Sequence, residues 1–281
     1  MIFFFLVYIE KLRLYIILVR NMNKINLILQ GGGVKGLAYI GALRYLEENN
    51  YEVNYIAGTS VGAIIGALVA CGYDSYELEN IINNIPVDIF LHKKDIKQQI
   101  KNKGLYSLEK LEYYLENLLL LKNKRVFKDI KVGNNYKTIF ITTSLKDKKI
   151  FVLPYDLKLI NIDPDTFPIA KAAIMSASIP FFYGPYKLNN HYFYDGGISD
   201  NYPKWCFSNA IALRINEENN IIKGIKNNFF GSINNNNNIF EININTKGYR
   251  STDFKKAFYY KYDLYNRGYF ALKYALKNIK Y

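Results

Sequence analysis

Gly58-Thr59-Ser60-Val61-Gly62 brackets a serine with glycines at G-x-S-x-G spacing, between the apolar run Tyr55-Ile56-Ala57 and a helix-like stretch, Ala63–Ala70. A serine on a sharp strand-to-helix turn presents its hydroxyl at the sheet edge, and the flanking glycines remove side chains that would collide there. The helix that starts at the turn brings free N–H groups and a partial positive charge to the same place. This pattern points to a nucleophile elbow, with Ser60 as the candidate nucleophile. A second chemical feature is Gly31-Gly32-Gly33-Val34-Lys35-Gly36, which follows one strand pattern and precedes one helical pattern. Two readings fit it. As G-x-G-x-x-G it matches a dinucleotide-binding loop, with Glu52 about where a ribose-binding acid belongs. As a run of glycines it suits an oxyanion hole, because backbone N–H groups can converge there without side-chain obstruction. A strained, exposed serine favours the second, since hydride transfer has no use for one.

The third feature is Asp195-Gly196-Gly197, which follows Tyr192-Phe193-Tyr194 and continues as Ile198-Ser199-Asp200-Asn201-Tyr202-Pro203. The chain holds only two histidines, His92 and His191. An α/β-hydrolase triad runs serine, acid, histidine in chain order, and no histidine follows Asp195. His191 could serve only with an earlier acid such as Asp163 or Asp165. A serine hydrolase without a usable histidine needs another base, and an aspartate held beside the serine hydroxyl can take its proton.

These residues need elements to position them. A strand pattern at Ile25–Leu29, a helical one at Leu37–Glu48 and the elbow's own strand and helix predict alternating β and α, hence a parallel sheet covered by helices. Residues 74–130 read as a helical, charged cap or lid, with Leu108, Leu111, Leu115, Leu118 and Leu119 at helical spacing, taken as core. Strand-like runs return at Thr138–Thr143, Lys149–Leu153, Pro168–Ser178, Tyr192–Tyr194 and Ala210–Ile215. Asn234–Asn238 reads as an exposed loop and Phe254–Ile279 as a terminal helical region.

With 281 residues, half of them apolar, the chain can bury one large core. A net charge of +13 favours anionic surfaces. The lysines are scattered and no RNA-binding aromatic motif accompanies them, so no nucleic-acid partner is expected. Cys71 and Cys206 are too few for a disulfide framework and read as buried free thiols of a reducing, intracellular compartment. Residues 1–22 form an apolar extension interrupted by Glu10, Lys11 and Arg13, which disfavours a membrane span. They lack the layout of a secretory signal. Two readings stand: an interfacial anchor, or an upstream extension with initiation at Met22.

Taken together, the glycine loop, the serine pentapeptide and the Asp-Gly-Gly block resemble those of the patatin-like phospholipases, in the same order. Met175-Ser176-Ala177-Ser178-Ile179-Pro180-Phe181-Phe182 is similar to that family's A-S-x-A-x-P-x-F block, and Asp195 to Pro203 to its D-G-G-x-x-x-N-x-P block. Lys35 fills the position where the family carries Arg or Lys. The similarity runs from about Ile25 to Pro203, and departs mainly in 74–130 and the asparagine tract. The resemblance implies a three-layer α/β/α fold over residues 23–281 with a mostly parallel central sheet. It also implies a lipid acyl hydrolase of phospholipase A or lysophospholipase type, working through a Ser60/Asp195 dyad and an acyl-enzyme. In that scheme the N–H groups of Gly31, Gly32, Gly33 and Val34 furnish the oxyanion hole, and Lys35 attracts head-group phosphate. No metal or cofactor is called for, the substrate is a phospholipid or other lipid ester, and contact with anionic membranes is peripheral. A catalytically decayed lipid-binding protein is the other function considered, with a dinucleotide-binding protein behind it.

Overall fold

The computed structural model describes residues 23–97, 99, 104–215 and 238–277. The extension 1–22 and the asparagine tract up to residue 237 lie outside them. The chain opens with β1 (Asn23–Leu29), α1 (Leu37–Glu48), β2 (Tyr51–Thr59), α2 (Val61–Ala70), α3 (Ser75–Asn84) and α4 (Glu109–Leu121). A small hairpin, β3 (Lys131–Val132) and β4 (Asn135–Tyr136), precedes β5 (Thr138–Ser144), β6 (Lys149–Leu153) and α5 (Ile169–Ser176). Then come β7 (Tyr186–Leu188), β8 (His191–Asp195), β9 (Asn209–Ile215), β10 (Asn238–Ile244), α6 (Phe254–Tyr259) and α7 (Lys261–Lys277).

Strands β10, β9, β1, β2 and β5 pair in that order and all in parallel, while β6 and the β7–β8 hairpin join antiparallel at the β5 side. The result is the expected mostly parallel sheet flanked by helices, a three-layer α/β/α fold. Burial explains why these segments are strands. Leu27, Ile28 and Leu29 are fully buried on both faces of the sheet, as central parallel strands require. Each such side chain contributes about 1.5–3 kcal/mol. One face carries the main core. Ile28, Ala210 and Ala212 form a smaller cluster with Tyr202, Phe207 and Ile239.

In the 74–130 region, local signals set the two named helices. α3 begins with a capping box in which Asp74 accepts from the Glu77 N–H at 2.8 Å and Glu77 accepts from the Asp74 N–H at 3.1 Å. α4 buries Leu111, Leu115 and Leu119 on one stripe. Between them Val87–Ile89 forms a 3-10 turn. One correction concerns Pro168–Ser178, whose apolar run reads as strand-like: Ile169–Ser176 is a helix. Pro168 stands at its N-cap and alanines dominate its interior, two local signals that outweigh the apolar run.

Candidate active site

Ser60 leaves β2 with φ 57° and ψ −121°, a positive-φ geometry that costs a non-glycine residue about 1–3 kcal/mol. The two glycines of the pentapeptide make that turn possible by close approach. A Cβ on Gly58 would sit 2.3 Å from the Gly62 carbonyl oxygen, and one on Gly62 would sit 2.5 Å from the Leu29 carbonyl oxygen. The buried Ser60 N–H donates to Ser176 Oγ at 2.9 Å, and Ser176 Oγ in turn donates to the Ile141 carbonyl. The elbow is thus tied to α5 and β5.

Asp195 arrives by a different route to the same spot. Because β6 lines one edge of β5 along Phe140–Ser144, β2 and β8 must share the other edge. β2 runs up that edge to Thr59 opposite Ile141, and β8 runs down it to Asp195 opposite Thr142. Two strands therefore abut on neighbouring residues of β5, and Ser60 and Asp195 depart where they meet. Asp195 is buried, its N–H donates to the Ser178 carbonyl at 2.9 Å, and its Oδ1 accepts from the Gly197 N–H at 2.7 Å. Burial pushes its pKa up to about 6, opposed by the nearby Ser60 hydroxyl and the Gly197 N–H. The serine is close enough to stabilise the carboxylate, yet no Ser60–Asp195 hydrogen bond of normal geometry forms, and Asp195 Oδ2 is buried without a partner among the described residues. An open acceptor beside a hydroxyl is the loose arrangement typical of substrate-free sites.

Of the four N–H groups expected to line an oxyanion hole, two are already engaged. Gly31 N–H donates to the Asn201 carbonyl at 3.0 Å, and Val34 N–H donates to the Ser251 carbonyl at 2.9 Å. Those of Gly32 and Gly33 have no acceptor among the described residues, and Gly33 holds φ 56°. Asn201 also donates from Nδ2 to the Gly31 carbonyl at 3.1 Å, so the Asp-Gly-Gly segment clamps the glycine loop from both sides of one residue. Lys35 is 2% exposed, its Cε 3.6 Å from where a Cβ on Gly32 would lie.

The dinucleotide reading fails on register. Glu52 pairs with Lys24 at the entry end of the sheet, whereas the glycine loop leaves the exit end, where Leu29 pairs with Gly58. Six residues of strand separate Glu52 from Gly58, about 20 Å. His191 likewise stands at the far end of β8 from Asp195, and Asp165 is bonded to Tyr136 and Lys131. Three residues that hold the site together have no role legible in the sequence: Ser176 and Asn201 stand inside family-like motifs without a chemical signature of their own, and nothing local distinguishes Ser251.

Beside Ser60 an apolar cavity of about 100 Å³ opens. Val61, Ile64 and Leu68 of α2 form one wall, and Leu111, Leu115 and Leu118 of α4 face them. The cap leucines are therefore core, as expected, but core that encloses a void leading to the serine. Among the described residues no helix is long and apolar enough to cross a membrane.

A strained serine elbow on a mostly parallel sheet, with a glycine loop and an aspartate converging on it, defines the class as an α/β protein of nucleophile-elbow type. Residues 27–204 match the family described as patatin-like phospholipase. The chain belongs to that family. It is 35% identical over 228 residues to the uncharacterized protein YqhO of Bacillus subtilis, covering 73% of this chain and 77% of that one. It is 29% identical over 187 residues to the probable lipid hydrolase 463L of Invertebrate iridescent virus 6, covering 63% of this chain and 61% of the relative. In fold it is similar to the type III effector protein ExoU of Pseudomonas aeruginosa, with a TM-score of 0.52 at 15% identity, over 91% of this chain and 53% of that one.

Proposed function

We propose that the protein is a lipid acyl hydrolase that cleaves carboxylic esters through a Ser60/Asp195 dyad. The observation that carries this reading is the abutment of β2 and β8 on one edge of β5, at the mouth of an apolar cavity. Asp195 takes the Ser60 proton as Oγ attacks the ester carbonyl. The N–H groups of Gly32 and Gly33 hold the oxyanion, each donor being worth about 3–4 kcal/mol. Lys35 acts on that developing charge from beneath the loop. The tetrahedral species collapses to an acyl-enzyme and the lysolipid or alcohol leaves with a proton returned by Asp195. Asp195 then accepts a proton from water as it attacks the acyl carbonyl, and returns that proton to Ser60 Oγ as the C–Oγ bond breaks and the fatty acid leaves. The cavity between α2 and α4 takes the acyl chain, and the 74–130 region serves as its cap. The relatives' names support lipid as the substrate class, and a catalytically decayed lipid binder would keep the cavity while losing turnover.

Incubating the protein with a mixed lipid extract and identifying the products by mass spectrometry tests the reading. Free fatty acids and lysolipids are expected, and none with the Ser60→Ala variant. An unchanged extract would leave the decayed lipid binder as the better account.

A further inference from the structure

The rim of the cavity carries a feature that acyl transfer does not use. Three backbone segments form a short ladder there: Lys93 bridges Tyr106, Gly104 bridges Phe181, and the Tyr106 N–H donates to the Phe182 carbonyl at 2.8 Å. On the inner side Tyr183 and Leu108 line the cavity, and the Phe182 ring stacks 5.8 Å from Phe254, another lining residue. On the outer side the same ladder leaves Phe181 65% exposed, with Leu105 bonded to it through backbone and also largely exposed. Ile96, on the segment that continues from Lys93, is 75% exposed, and Tyr259, next to the cavity residue Phe258, is 80% exposed. Phe181 is doubly unfavourable in water. It presents an aromatic ring to solvent and holds φ 63°, a conformation that bulky residues rarely adopt. Exposed Lys93 and Lys97 flank Ile96 on its segment, exposed Lys255 follows Phe254, and none of the three forms an ion pair among the described residues; Asp95 is the exposed acid between Lys93 and Lys97.

We infer that this rim is the protein's docking face for an anionic lipid bilayer, and that it seats the mouth of the cavity at the interface. Apolar and aromatic tips with lysines beside them in the chain match the bilayer's own order, with the tips entering the acyl boundary and the ammonium groups meeting anionic head groups. Phe181, Leu105 and Ile96 supply the tips. Lys93, Lys97 and Lys255 supply the charge. The inference rests on the lipid-hydrolase reading for its purpose, but its test does not.

Binding is measured by co-sedimentation in the Ser60→Ala background, so that hydrolysis cannot consume the vesicles. Vesicles of phosphatidylcholine alone are compared with vesicles that also contain phosphatidylserine. Tight binding to the mixed vesicles only is expected. Ile96→Asn with Phe181→Asn, asparagine being tolerant of positive φ, and separately Lys93→Glu with Lys97→Glu, should each weaken it at least about tenfold. In the Ser60 background, turnover of a water-soluble short-chain ester should stay unchanged in both variants. Tyr259→Ser gives an independent reading of the same face. Equal binding to both vesicle types, or variants that bind as their parent does, would overturn the inference, and the second result is what a protein partner on this face would produce. Failure of the soluble ester to turn over in the unsubstituted protein would instead strike the hydrolase reading and leave the vesicle result standing.

Discussion

Asp195 combines two opposed demands in one carboxyl group. As a base it must be ionised, yet burial raises its pKa to about 6. Activity should therefore fall about tenfold per pH unit below pH 6 and level off above it, read from kcat/KM against pH with a soluble ester. The stability consequence has the opposite sign. A carboxyl whose folded pKa is raised stabilises the native state below its unfolded value, and that contribution is lost as pH rises through about 6. Asp195→Asn should consequently melt at a higher temperature than the parent above about pH 7, by on the order of 2–3 kcal/mol, with the gap closing below about pH 4. The same variant should lose hydrolysis by more than about a thousandfold. A melting curve that falls instead would mean that the carboxylate is held by something other than Ser60 and Gly197. At this scale sequence marks Ser60 and Asp195 as candidates by residue type and spacing, and the fold brings both to one spot on β5. The two spare N–H groups are not legible in sequence, because only the fold decides that Asn201 and Ser251 occupy their neighbours.

Elements explain how residues separated by 135 positions meet. β2 and β8 run toward each other along β5, so the site depends on how far each strand extends before it turns. Gly62→Ala would press a methyl against the Leu29 carbonyl and should abolish folding or lower stability by at least about 3 kcal/mol, measurable by denaturant unfolding. Ser176→Ala leaves the Ser60 N–H buried and unpaired, a loss of about 1–3 kcal/mol that should also lower kcat more than it raises KM. Between α2 and α4, Leu115→Trp narrows the cavity. It should move the preferred chain length of nitrophenyl esters toward short acyl groups while leaving acetate or butyrate turnover near the parent rate. Most of these elements could be read from period and punctuation: β1, α1, the elbow strand and α2 fall where their patterns say. α5 could not, since Pro168–Ser178 is apolar at nearly every position and period alone does not separate a buried helix from a buried strand. The edge-sharing of β2 and β8 leaves no trace in sequence, because pairing order is set by long-range contacts.

For the whole molecule, family membership supports lipid as the substrate class, while the rim and the cap are where this chain departs most from the family pattern. Those segments were the least readable. Their role lies in which side chains face the void and which pack away from it in the core, and helical spacing alone gives Leu118 and Leu119 the same meaning. Everything proposed for the molecule returns to one claim, that Ser60 alone becomes acylated. The most direct measurement exposes the intact protein to a long-chain fluorophosphonate, which phosphonylates an activated serine, and weighs the product before and after peptide mapping. A single adduct on the peptide containing Ser60 is expected, absent from Ser60→Ala and strongly slowed in Asp195→Asn. An adduct on any other residue, or equal labelling of the Asp195→Asn variant, would contradict the account.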